Sequence, residues 1–138
     1  MRNFSRRNVS WDQNDQDFIF ASAHGNLNLV KELLNSGVSV NYQDSYGNTA
    51  LMYASENGYL EIIKELIKWG AYINLQNDDG WTALMYAAAN NRQNILIYLI
   101  RNGANINLRD KEHQSALDIA NTYRHWNIVN YLTDIGAY

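Results

Sequence analysis

The feature that most limits what this chain can fold into is a repeat of 33 residues. Thr49-Ala50-Leu51-Met52-Tyr53-Ala54 returns as Thr82-Ala83-Leu84-Met85-Tyr86-Ala87, and more loosely as Ser115-Ala116-Leu117-Asp118-Ile119-Ala120. The same interval joins Gly37, Gly70, Gly103 and Gly136, and also Asn41, Asn74 and Asn107. A strict period of this length marks stacked supersecondary units, each too small to bury its own apolar face, instead of one globular core. A chain built this way works through a surface.

Composition narrows the functions that surface can serve. At 138 residues and 46% hydrophobic there is apolar material for one domain. A net charge of only -3 gives no global field towards nucleic acid or an acidic membrane. With no cysteine, neither a disulfide framework nor a thiolate metal site can form. The apolar runs are helix-sized and broken by charge, too short to span a bilayer. Residues 1–11 carry Arg2, Arg6 and Arg7 with no apolar stretch behind them, unlike a signal peptide. They are expected to be a disordered basic leader on a cytoplasmic protein.

Residues 44–76 serve as the template unit. Asp44-Ser45-Tyr46-Gly47-Asn48 is turn chemistry. Thr49 follows as an N-cap, its hydroxyl placed to accept an orphan amide. A short helix then presents Leu51, Ala54 and Ser55, and Gly58 ends it as a left-handed stop. A second helix from about Glu61 to Trp69 carries Ile62, Ile63, Leu66 and Ile67 at helical spacing, closed by Gly70. Units follow at about 77–109 and 110–138, and an atypical first unit at 12–43 puts Phe18, Ala21, Gly25, Val30 and Leu33 on the same grid. Gln16 and Asn14 stand there where later units carry the Thr cap and turn glycine. Trp11 and Phe18 are expected to shield the open end, where one face meets water.

The period, the Gly-x-Thr-x-Leu openings, the Ala-x-x-x-Gly stops and the Gly-Ala-x-Ile-Asn returns resemble ankyrin repeats. The resemblance covers residues 12–138. It implies an all-α solenoid of helix-turn-helix pairs with short β-hairpin fingers, curved so that short helices and fingers face a partner. The family's Thr-Pro-Leu-His opening is altered to Thr-Ala-Leu-Met in units two and three and Ser-Ala-Leu-Asp in unit four. Met52 and Met85 are therefore expected to pack as apolar groups, outside the hydrogen bonds that histidine would make. The helix-ending glycine becomes Asn91 in unit three and Arg124 in unit four; a left-handed non-glycine residue costs about 1–2 kcal/mol. The last unit is expected to fray first.

No preorganised catalytic chemistry stands in the sequence. His24, His113 and His125 fall far apart on the grid, and no pair has metal-ligand spacing. Asp78-Asp79, at a finger tip, is an acidic pair expected to be solvated. Phosphate cradles, nucleophile elbows and zinc fingers are absent. Basic Arg92, Arg101, Arg109, Lys111 and Arg124 are interspersed with acids and make no phosphate track. No catalytic residue, metal or cofactor is expected.

The variable positions of the grid carry the candidate site. Finger positions supply Ser45, Asp78 and Lys111, then Tyr46, Asp79 and Glu112, then Asn48, Trp81 and Gln114. Inward positions of the short helices supply Ala23, Glu56, Ala89 and Thr122, then His24, Asn57, Asn90 and Tyr123. The partner-binding set is Tyr46, Asn48, Glu56, Asp78, Asp79, Trp81, Asn90, Lys111, Glu112, Gln114 and Tyr123. Trp81 either anchors an interface, as tryptophan often does, or lies flat over Tyr46 or His113. Tyr53 and Tyr86 are expected to pack between short helices with hydroxyls towards the rim. Asn41, Asn74 and Asn107 are expected to tie the hairpin backbone through their amides; whether any is hydroxylated is not written in the sequence.

These residues read as a non-catalytic, monomeric module that binds another protein through its concave face and fingers, with no nucleic-acid or membrane partner. The alternative is a regulatory or assembly subunit, or a fragment of a larger ankyrin protein, that inhibits or positions an enzyme. Polar Asn127, Asn130, Thr133 and Asp134 suit a natural cap; apolar Ile128, Ile135 and Tyr138 suit a further unit or self-association.

Overall fold

A computed structural model describes residues 12–138. The expected leader and Trp11 lie outside the described residues. Among the described residues there are eight helices in four antiparallel pairs and no strand. The pairs are α1 (Gln13–His24) with α2 (Leu27–Asn35), α3 (Ala50–Asn57) with α4 (Leu60–Lys68), α5 (Ala83–Ala89) with α6 (Gln93–Arg101), and α7 (Ala116–Thr122) with α8 (Trp126–Asp134). The helices α1, α3, α5 and α7 form an inner row in close mutual contact; α2, α4, α6 and α8 form a looser outer row. That difference in closeness bends the stack towards the inner row.

Side-chain size explains the two rows. Ala21, Ala54, Ala87 and Ala120 occupy one grid position and are buried where successive inner helices meet. The outer helices bring branched side chains at helical spacing, Ile62, Ile63 and Leu66 in α4 and Ile95, Leu96 and Leu99 in α6, down onto the inner row. Each such fully buried side chain contributes about 1.5–3 kcal/mol. Met52 and Met85 are buried in the same layer.

Caps fix where the inner helices begin. Thr49, Thr82 and Ser115 each accept from the amide three residues on, at 3.3, 3.2 and 3.2 Å. In α3 the reciprocal bond comes from sulfur: Met52 Sδ lies 3.4 Å from the Thr49 N–H it accepts. Met52 thus joins the cap, contrary to the expectation that it would only pack. In α7 the partner is Asp118, whose carboxylate accepts from both the Ser115 N–H and hydroxyl, at 2.9 and 3.1 Å. Asn91 and Arg124 adopt φ of 57° and 60°, the left-handed geometry expected of their positions.

The fingers are turns without a β ladder, so the hairpins implied by resemblance are reduced to their tips. Asp44 Oδ1 accepts the Tyr46 and Asn48 amides at 3.0 and 2.9 Å, and Asn77 and Asp110 repeat the arrangement. Adjacent fingers are bridged by backbone bonds, Asp78 N–H to Tyr46 O at 3.0 Å and Lys111 N–H to Asp79 O at 3.1 Å. The approach is close enough that a Cβ on Gly80 would stand 2.9 Å from the Lys111 nitrogen. His113 takes the equivalent place in the fourth finger with φ 63°. Asn41 and Asn74, expected to tie the hairpin backbone, instead bond to the backbone of the next unit. Each donates to a carbonyl and accepts an amide of the next unit, Asn41 from Gly70 O to Tyr72 N and Asn74 from Gly103 O to Asn105 N.

Unit one departs from the grid. Asp12 caps α1, accepting the Asn14 amide at 2.8 Å, and the helix runs straight through Asn14 and Gln16. It has 12 residues where α3 has 8. With no turn glycine there is nothing to stop the helix, and the extra turn stands beside the second unit's finger. Phe18 is fully buried core instead of a shield for the end.

Arg124→Gly removes the left-handed penalty in the last unit. Urea unfolding is expected to show a gain of about 1 kcal/mol, with the change concentrated in hydrogen exchange of α7 and α8.

Candidate functional site

At the base of the fingers, a row of polar side chains joins neighbouring units. The Tyr53 hydroxyl donates to Asp44 Oδ2 at 2.5 Å, and Asn48 Nδ2 lies 3.3 Å from the same hydroxyl. Asn77 Nδ2 donates to Asn48 Oδ1 at 2.7 Å and to the Tyr86 hydroxyl at 2.9 Å. Tyr86 also reaches Asn48 Oδ1 at 3.3 Å. The tyrosine hydroxyls expected at the rim are therefore held within this network. Burial pushes the Tyr53 hydroxyl far above its ordinary 10.0, and its bond to Asp44 adds to this. Tyr86 is raised as well, by burial and then by the Glu56 carboxylate.

The network stops at unit four. Ile119 occupies the grid position of Tyr53 and Tyr86, and Trp81 that of Asn48. Asp110, at the position of Asp44 and Asn77, is 5% exposed, and its Oδ2 has no hydrogen-bond partner among the described residues. Ile119 thus removes the hydroxyl that in unit two donates to Asp44, and Trp81 removes the amide oxygen that in unit two accepts from Asn77.

The expected site residues separate into groups. Tyr46 is 68% exposed at its finger tip, and Asp79, Lys111 and Glu112 are exposed on the next two fingers. Asp78 is half-buried and bridges to the Tyr46 backbone. Trp81 lies on neither Tyr46 nor His113; it packs on Tyr86 of its own unit, centroids 4.9 Å apart at 58°. It still borders a hollow of about 460 Å³ with Asp79, Tyr86, Lys111 and Glu112. Asn48 is half-buried in the network, and half-buried Gln114 closes its own turn on Asp110. Glu56 is half-buried on α3. Asn90 is exposed but donates back to Tyr86 O at 2.9 Å. Tyr123, 55% exposed, stacks near His125 at the C-terminal end of α7. Asn90 and Tyr123 thus stand at the helix ends remote from the finger group.

The structure adds a hollow of about 320 Å³ between the long α1 and the second unit. Ile19, Phe20 and His24 form one wall, Tyr42 and Tyr53 the other. Phe20 is 64% exposed, and its ring stacks on His24 with centroids 4.0 Å apart. Two signals for it stand in the sequence: Phe20 shares the grid position of Tyr53 and Tyr86, and its phase is wrong for the core. Phe18 and Ala21 define the buried face of α1, and Phe20 falls off it, an apolar residue where the helical pattern calls for a polar one. Burial, then the Asp15 and Asp44 carboxylates, raise the Tyr42 hydroxyl.

Four stacked helix pairs with linked fingers are the geometry of one family. The description "ankyrin repeats (3 copies)" matches the chain over residues 6–77 and again over 69–138. The chain belongs to the ankyrin-repeat family. No curated protein matches it. Ankyrin repeats generally mediate protein–protein interactions and are typically non-catalytic. Among the described residues, no helix is long and apolar enough to cross a membrane.

Two outcomes follow from the network. Ile119→Tyr puts a hydroxyl where Asp110 Oδ2 needs a donor and is expected to stabilise the chain by about 1 kcal/mol. Ile119→Phe, with the ring alone, brings no such gain, and urea midpoints of the two variants decide it. The second outcome concerns pH. Folding holds the Tyr53 hydroxyl neutral, whereas the unfolded chain ionises it near 10.0. Its stabilisation is complete below that pH and is lost as pH rises above it. Alkaline unfolding followed by phenolate absorbance is expected to shift for Tyr53→Phe, which has no proton to lose.

Proposed function

We propose that this ankyrin-repeat protein is a non-catalytic interaction module that binds a protein partner through its inner helix row and fingers. The observation that carries this reading is the exposure of Tyr46, Asp79, Lys111 and Glu112 on turns whose backbones are cross-linked from finger to finger. A partner meeting such a surface orders few groups on binding, which leaves more of the contact energy as affinity. Aromatic residues at interfaces bury much area with few rotors. Trp81, half-buried on Tyr86, lines the hollow between the third and fourth fingers.

The test is affinity capture from lysate with the wild type, a Tyr46→Ala/Trp81→Ala double variant, and Trp69→Ala on the outer row as control. Proteins retained by wild type and Trp69→Ala are expected to be lost by the double variant, with affinity reduced at least about tenfold. Circular dichroism confirms that each variant keeps its helices. Equal recovery by all three, or loss with Trp69→Ala alone, overturns the reading.

A further inference from the structure

The two hollows differ in chemistry, and together they describe a partner. The first, beside α1, is lined chiefly by Ile19, Phe20, Ala23, Tyr42 and Tyr53, with Asp44 also bordering it. Its size suits one large aliphatic or aromatic side chain. Phe20 stays 64% exposed although the described core has ample apolar neighbours on the opposite side of α1. The second hollow is lined by Trp81 and Tyr86 together with Asp79, Glu112 and Lys111. Aromatic rings and carboxylates lining one hollow make an environment that attracts a guanidinium or ammonium group.

The charge along the face points the same way. Asp15 and Asp44 lie close enough to act on the Tyr42 hydroxyl, and Glu56, Asp79 and Asp44 on that of Tyr86. Opposing them is Lys111, which borders the second hollow. Arg109 is engaged by Asp118 at 3.2 Å. The Arg92 guanidinium lies over Gly58 and donates to Glu56 O, at the helix ends remote from the fingers. Acidic groups therefore outnumber basic ones along the line from the first hollow to the second.

Resting on the interaction reading above, we propose that this face binds an extended basic segment of a partner protein. A large apolar side chain of the segment fills the hollow beside Phe20, and an arginine or lysine lies over Trp81 between Asp79 and Glu112. The first hollow lies between units one and two and the second between units three and four, two steps of the stack apart. Packed helices are about 8–10 Å apart, so the hollows are separated by about 16–20 Å. An extended chain advances about 3.3 Å per residue. The apolar residue and the cation are then about five or six residues apart, with other basic residues between them tolerated.

The test pans a phage library of random 16-residue peptides on the full chain, then measures leading synthetic peptides by fluorescence polarisation. The expected peptides pair a Leu, Ile, Phe or Met with an Arg or Lys about five or six residues away. Their affinity drops at least tenfold with Phe20→Ala, and likewise with the exposed pair Asp79→Asn/Glu112→Gln, and falls steeply with salt. Replacing the peptide's Arg or Lys by Glu abolishes binding. Acidic or uncharged peptides, peptides indifferent to both variants, or no enrichment over bare support overturn the proposal. If peptides of other composition are lost on Tyr46→Ala/Trp81→Ala, the interaction surface stands and the basic segment alone falls. Peptides indifferent to every variant overturn both.

Discussion

Contact between neighbouring inner helices is the constraint from which the other features follow. One helix pair cannot bury its apolar face alone, so each unit is stable only against the next. The alanines at positions 21, 54, 87 and 120 make that approach possible. With the inner row held close by small side chains and the outer row spread by isoleucine and leucine, the stack curves without any residue dedicated to bending it. Fingers are then carried to a spacing at which one backbone bond links each to its neighbour, and Gly80 is placed where a side chain would obstruct the seat.

The polar network under the fingers is the second level of this dependence. Buried polar groups need partners, and here a tyrosine on one helix supplies the hydroxyl that the finger's aspartate or asparagine requires. The exchange couples finger to helix within a unit and, through Asn48 and Asn77, unit to unit. Unit four gives up the tyrosine for Ile119 and leaves Asp110 Oδ2 without a donor among the described residues, and on the adjoining third finger Trp81 stands in place of the asparagine. Regularity of the network is thus lost where Trp81 and Tyr86 line a hollow. Function in an ankyrin array lies in such variable positions, since the framework is shared by proteins with unrelated partners.

How much was legible follows the range of each interaction. Thr49, Thr82 and Ser115 could be read as caps because a cap bonds to an amide three residues away. Asn91 and Arg124 could be read as left-handed because the grid places them over Gly58. The outer helix of the template unit was expected at about Glu61–Trp69 and runs over Leu60–Lys68. Unit one was read less well: the Thr cap and turn glycine of the grid are missing, and the cap that starts α1, Asp12, stands one turn earlier than the grid places it. Met52 sulfur as an acceptor was not foreseen either, since it depends on a rotamer that packing selects. Asn48 looked like a docking residue because finger positions are usually solvent-facing, and its partner Asn77 lies 29 residues away.

By itself the sequence determined the repeat, the helix pairs, their caps and their stops, because these depend on side chains within one unit and are restated at each period. Tertiary structure alone decided which variable side chains share a surface. Trp81 lies on Tyr86 and not on a neighbouring finger, and Asn90 and Tyr123 stand apart from Tyr46. Phe20 acquires a role only because stacking brings α1 beside Tyr42 and Tyr53. These relations arise when one unit is superposed on another, at a distance and rotation that side-chain volumes set. A linear pattern carries the list of those volumes but not the way they interlock.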